Sequence, residues 1–333
     1  MAAAPGPVSS APSVTDARLP PRWLLTLPLM LGGGALIALQ SQVNGALTVR
    51  QGTGLRASAL GALISFGSGL LLLSLLALLH RPTSRGVAGL GRDLRQRRLP
   101  LWMVLGGLGG AFFVASQGLA APTLGITFFI LCFVAGQAVM ALVVDHYGWG
   151  PNGMTALSRS RLAGAVLAVL AVGVSGVGLL SAMSVTPALL VLAALPLLAG
   201  AVNSAQQGVN GRLAARAGPW PTTWNNFWVG TLGLLAFLAG TLLWPGELTG
   251  LPPQPWLYLG GLFGIGFIWA STVTVRIHGV LVVGVFSVAG QVVTAALLAL
   301  LVGPGRPEPT TWAAVLVSLA GAAVVGLAQR RRG

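Results

Sequence analysis

Apolar residues fall in long uninterrupted blocks along this chain, at about residues 23–47, 57–79, 100–118, 122–144, 162–180, 188–212, 222–244, 255–275, 279–302 and 311–328. Each block is near the roughly 20 residues that an α-helix needs to cross a hydrocarbon core about 30 Å thick. Spanning strands would alternate apolar and polar positions over about ten residues, and runs such as Leu70-Leu71-Leu72-Leu73 do not alternate. The pattern therefore predicts an all-α integral membrane protein with ten transmembrane helices.

The polar residues inside the blocks recur. Pro28 to Leu47 carries Gln40 and Asn44 four residues apart, and Pro196 to Leu213 carries Gln206 and Asn210 at the same spacing. Further on, Leu101-Trp102 to Phe113 pairs with Pro255-Trp256 to Phe267, and Val134-Ala135-Gly136-Gln137 with Val288-Ala289-Gly290-Gln291, both at a separation of 154 residues. Leu162-Ala163-Gly164-Ala165 and Leu319-Ala320-Gly321-Ala322 close the comparison. The repeat spans five helices, an odd number, so the second unit enters the membrane opposite to the first. This predicts two inverted five-helix repeats, an architecture that places solute sites at the repeat interface.

Charge sets the expected topology. The chain has 333 residues, 55% hydrophobic and 7% charged, with a formal charge of +14 and a mean hydropathy of +0.84. Such a charge on a soluble protein would suggest nucleic acid; here every basic residue is an arginine in a loop or at a helix end, and no nucleic-acid partner is expected. Of the 19 basic residues, only Arg50, Arg56 and Arg306 lie in tails and loops of one side; the rest lie on the other. The positive-inside rule then makes both termini cytoplasmic, in the cytoplasmic (inner) membrane. The expected organisation is a disordered cytoplasmic tail at 1–21, a first repeat at 22–180, a short extracytoplasmic linker at 181–187, a second repeat at 188–328 and a basic cytoplasmic tail at 329–333. The first 21 residues have no apolar block, and no cleaved signal is expected. The Arg92 to Arg98 cluster suits anionic lipid. Cys132, the single cysteine, forms no intramolecular disulfide.

The Gln-x-x-x-Asn-Gly element of the first and sixth helices resembles the YdcZ-like family of the drug/metabolite transporter superfamily. So do the Gly-Gly-Leu run of the third and eighth, the Ala-Gly-Gln of the fourth and ninth, and Asp145-His146-Tyr147-Gly148. The resemblance runs from about residue 25 to 328 and is to two five-helix units fused in one chain. It implies alternating-access transport of small organic metabolites. Fusion removes the obvious need to pair, and a homodimer stays open.

The candidate substrate path consists of Gln40, Asn44, Gln137, Gln206, Asn210, Trp224, Asn225, Asn226 and Gln291. Counting depth along the helices sorts these residues into two mirrored layers, with Gln40, Asn44 and Gln291 in the outer half and the others in the inner half. Asn203, Gln206, Gln207 and Asn210 share one helical stripe. The competing reading is interhelical adhesion, worth about 0.6 kcal/mol per buried polar pair. Gly106 with Gly110, and Gly260 with Gly264, form small-xxx-small pairs suited to helix packing. No acid lies in a predicted span, which argues against a buried carboxylate exchanging protons with a cationic drug, so a neutral, zwitterionic or amphipathic metabolite fits best. Asp145 with His146 is the candidate for any proton coupling. No catalytic signature, cofactor motif or clustered metal site is present in the sequence, so no enzyme, cofactor or metal is expected. The expected partners are membrane lipids and a small-molecule substrate. A lipid-carrier flippase and a channel-like or scaffold subunit are the alternatives.

Overall fold

A computed structural model describes residues 22–156, 158–159, 162–167, 169–170, 186–243, 246–302 and 309–330. In them the chain is helical: α1 (Arg22–Gln51), α2 (Gly54–Leu79), α3 (Arg81–Arg95), α4 (Gly106–Leu124), α5 (Ile126–His146), α6 (Pro187–Ala217), α7 (Pro219–Thr241), α8 (Gly260–His278), α9 (Val280–Val302) and α10 (Pro309–Arg330). Single 3-10 turns, Leu101–Met103 and Pro255–Tyr258, lead into α4 and α8.

Seven described helices are long and apolar enough to cross a membrane: α1, α2, α4 with its leading turn, α5, α6, α8 with its turn, and α9. The sequence predicted ten. Residues 171–180 of the expected fifth span lie outside the described residues, and α10 contributes a shorter apolar stretch, Val315–Val324. Helix α7 has 23 residues, about 34 Å at 1.5 Å per residue; its first two turns are polar, with Thr222, Thr223, Asn225 and Asn226 all buried. Helix α3 was not anticipated. Its Arg81, Arg85, Arg92 and Arg95 leave Thr83 and Leu90 as its buried residues, and Gly86 sits against Pro221 and the Ala217 carbonyl.

The bundle buries its amides within an otherwise apolar core and turns leucines outward. Leu71, Leu72, Leu75, Leu78 and Leu79 of α2 are exposed, whereas Gln40, Asn44, Gln117, Gln137, Asn203, Gln206, Gln207, Asn210, Asn226 and Gln291 are buried. Lipid tails are as apolar as leucine, so helix association here relies on close packing and polar contacts. Gly34 of α1 lies so close to the Ser287 carbonyl of α9 that a Cβ would overlap it, and Gly290 of α9 stands equally close to the Leu31 carbonyl of α1. The arrangement recurs between α6 and α5, with Gly200 on the Phe133 carbonyl and Gly136 on the Leu197 carbonyl. Helices from the two predicted repeats thus interleave: α1 packs on α9 and α8, and α6 on α5 and α4. Between α2 and α7, Phe66 and Phe227 meet with centroids 4.8 Å apart, each ring lying over a glycine of the other helix, Gly230 and Gly69.

Candidate functional site

The amides of α1 and α6 are seated on glycines of α8 and α4. A Cβ at Gly106 would come within 2.5 Å of Asn210 Oδ1, and one at Gly110 within 3.2 Å of Gln206 Nε2. At the opposite end, Gly260 abuts Asn44 Oδ1, and a Cβ at Gly264 would lie 2.8 Å from Gln40 Nε2. These glycine pairs therefore make room for amide side chains as well as for neighbouring backbone.

Two amide clusters result. In one, Gln206 Nε2 and Asn210 Nδ2 both donate to Asn226 Oδ1 at 3.0 Å. In the other, Asn44 Nδ2 donates to Gln117 Oε1 at 2.7 Å, and Gln117 Nε2 to Ser41 Oγ at 2.6 Å. Neither cluster is saturated. Asn44 Oδ1, Gln206 Oε1, Asn210 Oδ1, Asn226 Nδ2 and Asn203 Nδ2 are buried without a hydrogen-bond partner. A buried amide group left unpaired costs about 1–3 kcal/mol.

Between the clusters lies a cavity lined by Gln40, Asn203 and Gln206, by Gly110 and Gly264, and by Phe66, Phe113, Phe227 and Phe267. Its volume is about 10 Å³, at the threshold for a single water molecule. None of the four phenylalanines is among the site residues expected from the sequence. Phe113 and Phe267 were visible as repeat partners, but an aromatic residue in an apolar helix carries no signal of which way it faces.

Gln137 and Gln291 meet: Gln291 Nε2 donates to Gln137 Oε1 at 3.2 Å, leaving Gln137 Nε2 and Gln291 Oε1 unpaired. The two-layer expectation, which separated them, is corrected. Helices α5 and α9 begin after Gly125 and Gly279, both with positive φ, so each glutamine is the twelfth residue of its helix, about 16 Å along. Taking the first of these spans to start at residue 122 had overstated the depth of Gln137.

The remaining candidates disperse. Asn225 Nδ2 donates to the Val104 carbonyl at 2.9 Å, anchoring the turn before α4. Trp224 donates through Nε1 to Ser74 Oγ at 3.1 Å and stacks on exposed Trp228, with centroids 5.7 Å apart. Asp145 is buried, and its carboxylate accepts from the backbone N–H groups of Val280 and Leu281, both at 3.0 Å. It thereby caps α9, where a negative charge complements the helix dipole. His146 is exposed, its ring edge-on to Tyr147. The expected Asp145–His146 unit is thus divided between a cap and a surface ring.

At each end of the bundle an arginine lies over a tryptophan. Arg50, late in α1, lies over Trp256 at 5.5 Å, and Arg212, late in α6, over Trp102 at 5.7 Å. Arg212 also donates to the carbonyls of Gly148 and, at 3.1 Å, Gly150. At the Arg50 end, Thr249 N–H donates to the Gln51 carbonyl at 2.8 Å, and Arg56 donates to the Gly246 carbonyl at 2.7 Å. Among the described residues no group of three or more His, Cys, Asp or Glu side chains is placed to hold a metal ion.

Residues 25–174 and 191–325 each match the family described as "Putative inner membrane exporter, YdcZ". The curated proteins yield no match. Among solved structures, one titled "Crystal structure of protein" aligns over 92% of this chain and 97% of its own, with a TM-score of 0.59 and 18% identity. That likeness concerns the fold alone.

Proposed function

The chain belongs to the YdcZ family, in two fused units, and on that premise we propose that it is a secondary transporter working by alternating access. The family description supports a multi-pass inner-membrane transporter over an enzyme. The observation that carries the mechanism is the pair of partly unpaired amide clusters, each on a glycine seat, on either side of a cavity too small for an organic solute. Purely adhesive amides would gain by satisfying one another; here Gln206 Oε1 and Asn203 Nδ2, on two residues that line the cavity, stay unpaired. The conformation is then an occluded one, closed at both mouths.

An inverted pair of five-helix repeats accounts for the recurrence of the glycine seats, Gly106 on Asn210 as Gly260 on Asn44; the equivalent tryptophans Trp102 and Trp256 are each covered by an arginine from the other repeat, though Arg212 and Arg50 sit one helical turn apart in the repeat register. Each Arg–Trp contact joins one repeat to the other. Releasing one while keeping the other opens a single mouth, and exchanging the two roles opens the opposite mouth. With both termini cytoplasmic, the Arg212–Trp102 contact faces the cytoplasm. The solute is a small neutral, zwitterionic or amphipathic metabolite, since the cavity lining offers amides and aromatic rings and no ionisable group.

Side-specific labelling tests this without knowledge of the substrate. In a Cys132→Ala background, Asn203→Cys places a thiol in the cavity wall. Adding Arg50→Ala should admit an impermeant maleimide from the Arg50 face only, and Arg212→Ala from the other face only. A thiol reached from both faces in one variant would indicate a channel. A thiol reached from neither would overturn the gating scheme.

A further inference from the structure

A second cavity lies on the lipid-facing side of the bundle, between α2, α4 and α7. Its volume is about 380 Å³, within the range of roughly 300–1,000 Å³ typical of small-molecule pockets. Leu108, Phe112, Ala115 and Leu119 of α4 form one wall, and Gly233 and Phe237 part of another. Exposed Leu55 and Leu108 mark its open rim.

The pocket ends against a polar group. Ser58 stands in its wall and donates to the Ala115 carbonyl at 2.6 Å. Behind it, a Cβ at Gly118 would lie 2.9 Å from Ser58 Oγ and 2.7 Å from Thr48 Oγ1. Thr48 and Gln51 are buried, at 4% and 0% exposure. Thr48 Oγ1 and both amide atoms of Gln51 have no hydrogen-bond partner. A fully unpaired amide in a dry interior is expensive, and these groups flank Gly61, where a Cβ would be 2.9 Å from Thr48 Oγ1 and 3.2 Å from Gln51 Oε1.

The equivalent positions of the other repeat carry neither part. At the separation of 154 that relates α4 to α8, Ala115 corresponds to Trp269, whose ring packs on Trp220 with centroids 5.5 Å apart. At the separation of 166 that relates Gln40 to Gln206, Thr48 and Gln51 correspond to Ala214 and Ala217. Apolar space and unpaired polar groups thus occur together at one end of the bundle and are both missing from their equivalents. A pocket that merely accommodated membrane lipid would not call for the buried polar end.

We propose that this end of the bundle holds a site for an amphiphile: an uncharged polar head at Thr48 and Gln51, and an apolar tail in the pocket between α2, α4 and α7. The head is uncharged because the groups awaiting it are a hydroxyl and an amide, which offer both donors and acceptors and no charge. Ser58 and the close contact at Gly118 separate the two parts in this conformation, so the head reaches Thr48 and Gln51 when the seam between α2 and α4 parts. Calling the occupant a substrate rests on the transport reading; the site itself does not.

The test uses an alkyl urea with a photoreactive diazirine at the chain terminus, applied to the whole protein in lipid nanodiscs. Irradiation should label the peptides containing residues 108–119 and 233–237. Ala115→Trp, which copies the filled equivalent, should reduce that labelling at least tenfold, and so should Gln51→Leu, which removes the head contact. Thr48→Val is the milder second variant should Gln51→Leu fail to fold, and melting temperature reports folding for each. A diazirine phospholipid serves as the control and should label wild type and Gln51→Leu equally. Urea labelling indifferent to Gln51 and Thr48 would show a pocket filled by lipid alone and overturn the proposal. Side-specific labelling at position 203 is independent, so failure there with urea labelling intact would sink the gating scheme and leave this site standing.

Discussion

Asn226→Leu isolates the hub of one amide cluster. Asn226 Oδ1 accepts from both Gln206 Nε2 and Asn210 Nδ2 at 3.0 Å, and all three residues are buried. Leucine keeps the branched skeleton of the side chain and, being larger, leaves no cavity, so the loss comes chiefly from the broken hydrogen bonds. If each bond contributes the membrane average of about 0.6 kcal/mol, the pair accounts for about 1.2 kcal/mol. If both donors are stranded, each costs about 1–3 kcal/mol. The glycine seats at Gly106 and Gly110 hold the two amides where they are, so the donors have little freedom to find other acceptors, and a loss of about 2–6 kcal/mol is expected from the two stranded donors. The equivalent position in the other repeat is Ser65, whose hydroxyl is already unpaired; Ser65→Ala should change stability by less than about 0.5 kcal/mol, as for a substitution that removes no partner. Equilibrium unfolding in mixed micelles measures both. A double-mutant cycle of Asn226→Leu with Asn210→Leu should show coupling, because the second change removes a donor that the first has stranded. Equal losses at 226 and 65, or additive effects of 226 and 210, would refute the shared-acceptor argument.

Three further outcomes follow from the packing. Gly34→Ala and Gly200→Ala each drive a Cβ into backbone of the neighbouring helix and should cost about 3 kcal/mol or more, beyond the usual overpacking range because no side chain can yield; thermal unfolding in detergent reads this directly. Asp145→Ala strips the carboxylate from the Val280 and Leu281 N–H groups and should lower stability by about 2 kcal/mol, in keeping with charge-assisted bonds at a helix N-terminus, with amide exchange rising first at the start of α9. Arg212→Lys keeps the charge but loses the planar fork that reaches Gly148 and Gly150 while covering Trp102. In the position-203 labelling assay it should behave as a weaker Arg212→Ala, since an ammonium cannot reproduce those contacts; labelling indistinguishable from the unmodified gate would show that charge alone closes this mouth.

The sequence alone determined the membrane class, the all-helical fold, the family and the repeat, because each is written in residue order: block length against bilayer thickness, and identical spacings at 154 and 166 residues. It also singled out Gln206, Asn210 and Asn226, since an amide in an apolar helix needs a partner wherever it points. Tertiary structure decided which partner. Nothing in the local pattern distinguished Asn226, the shared acceptor, from Asn225, which ties down a turn, because adjacent residues on a helix differ by about 100° in direction and only the neighbouring helices give that direction a meaning. The meeting of Gln137 with Gln291 depended on where α5 and α9 start, set by Gly125 and Gly279. Asp145 became a cap because the N-terminus of α9, 135 residues away in sequence, lies against it. Thr48 and Gln51 passed unnoticed for the same reason: near a helix end they look like solvated residues, and only the packing of α1, α2 and α4 encloses them. Periodicity and composition act along the chain and survive in its sequence, whereas enclosure and pairing belong to the space between helices.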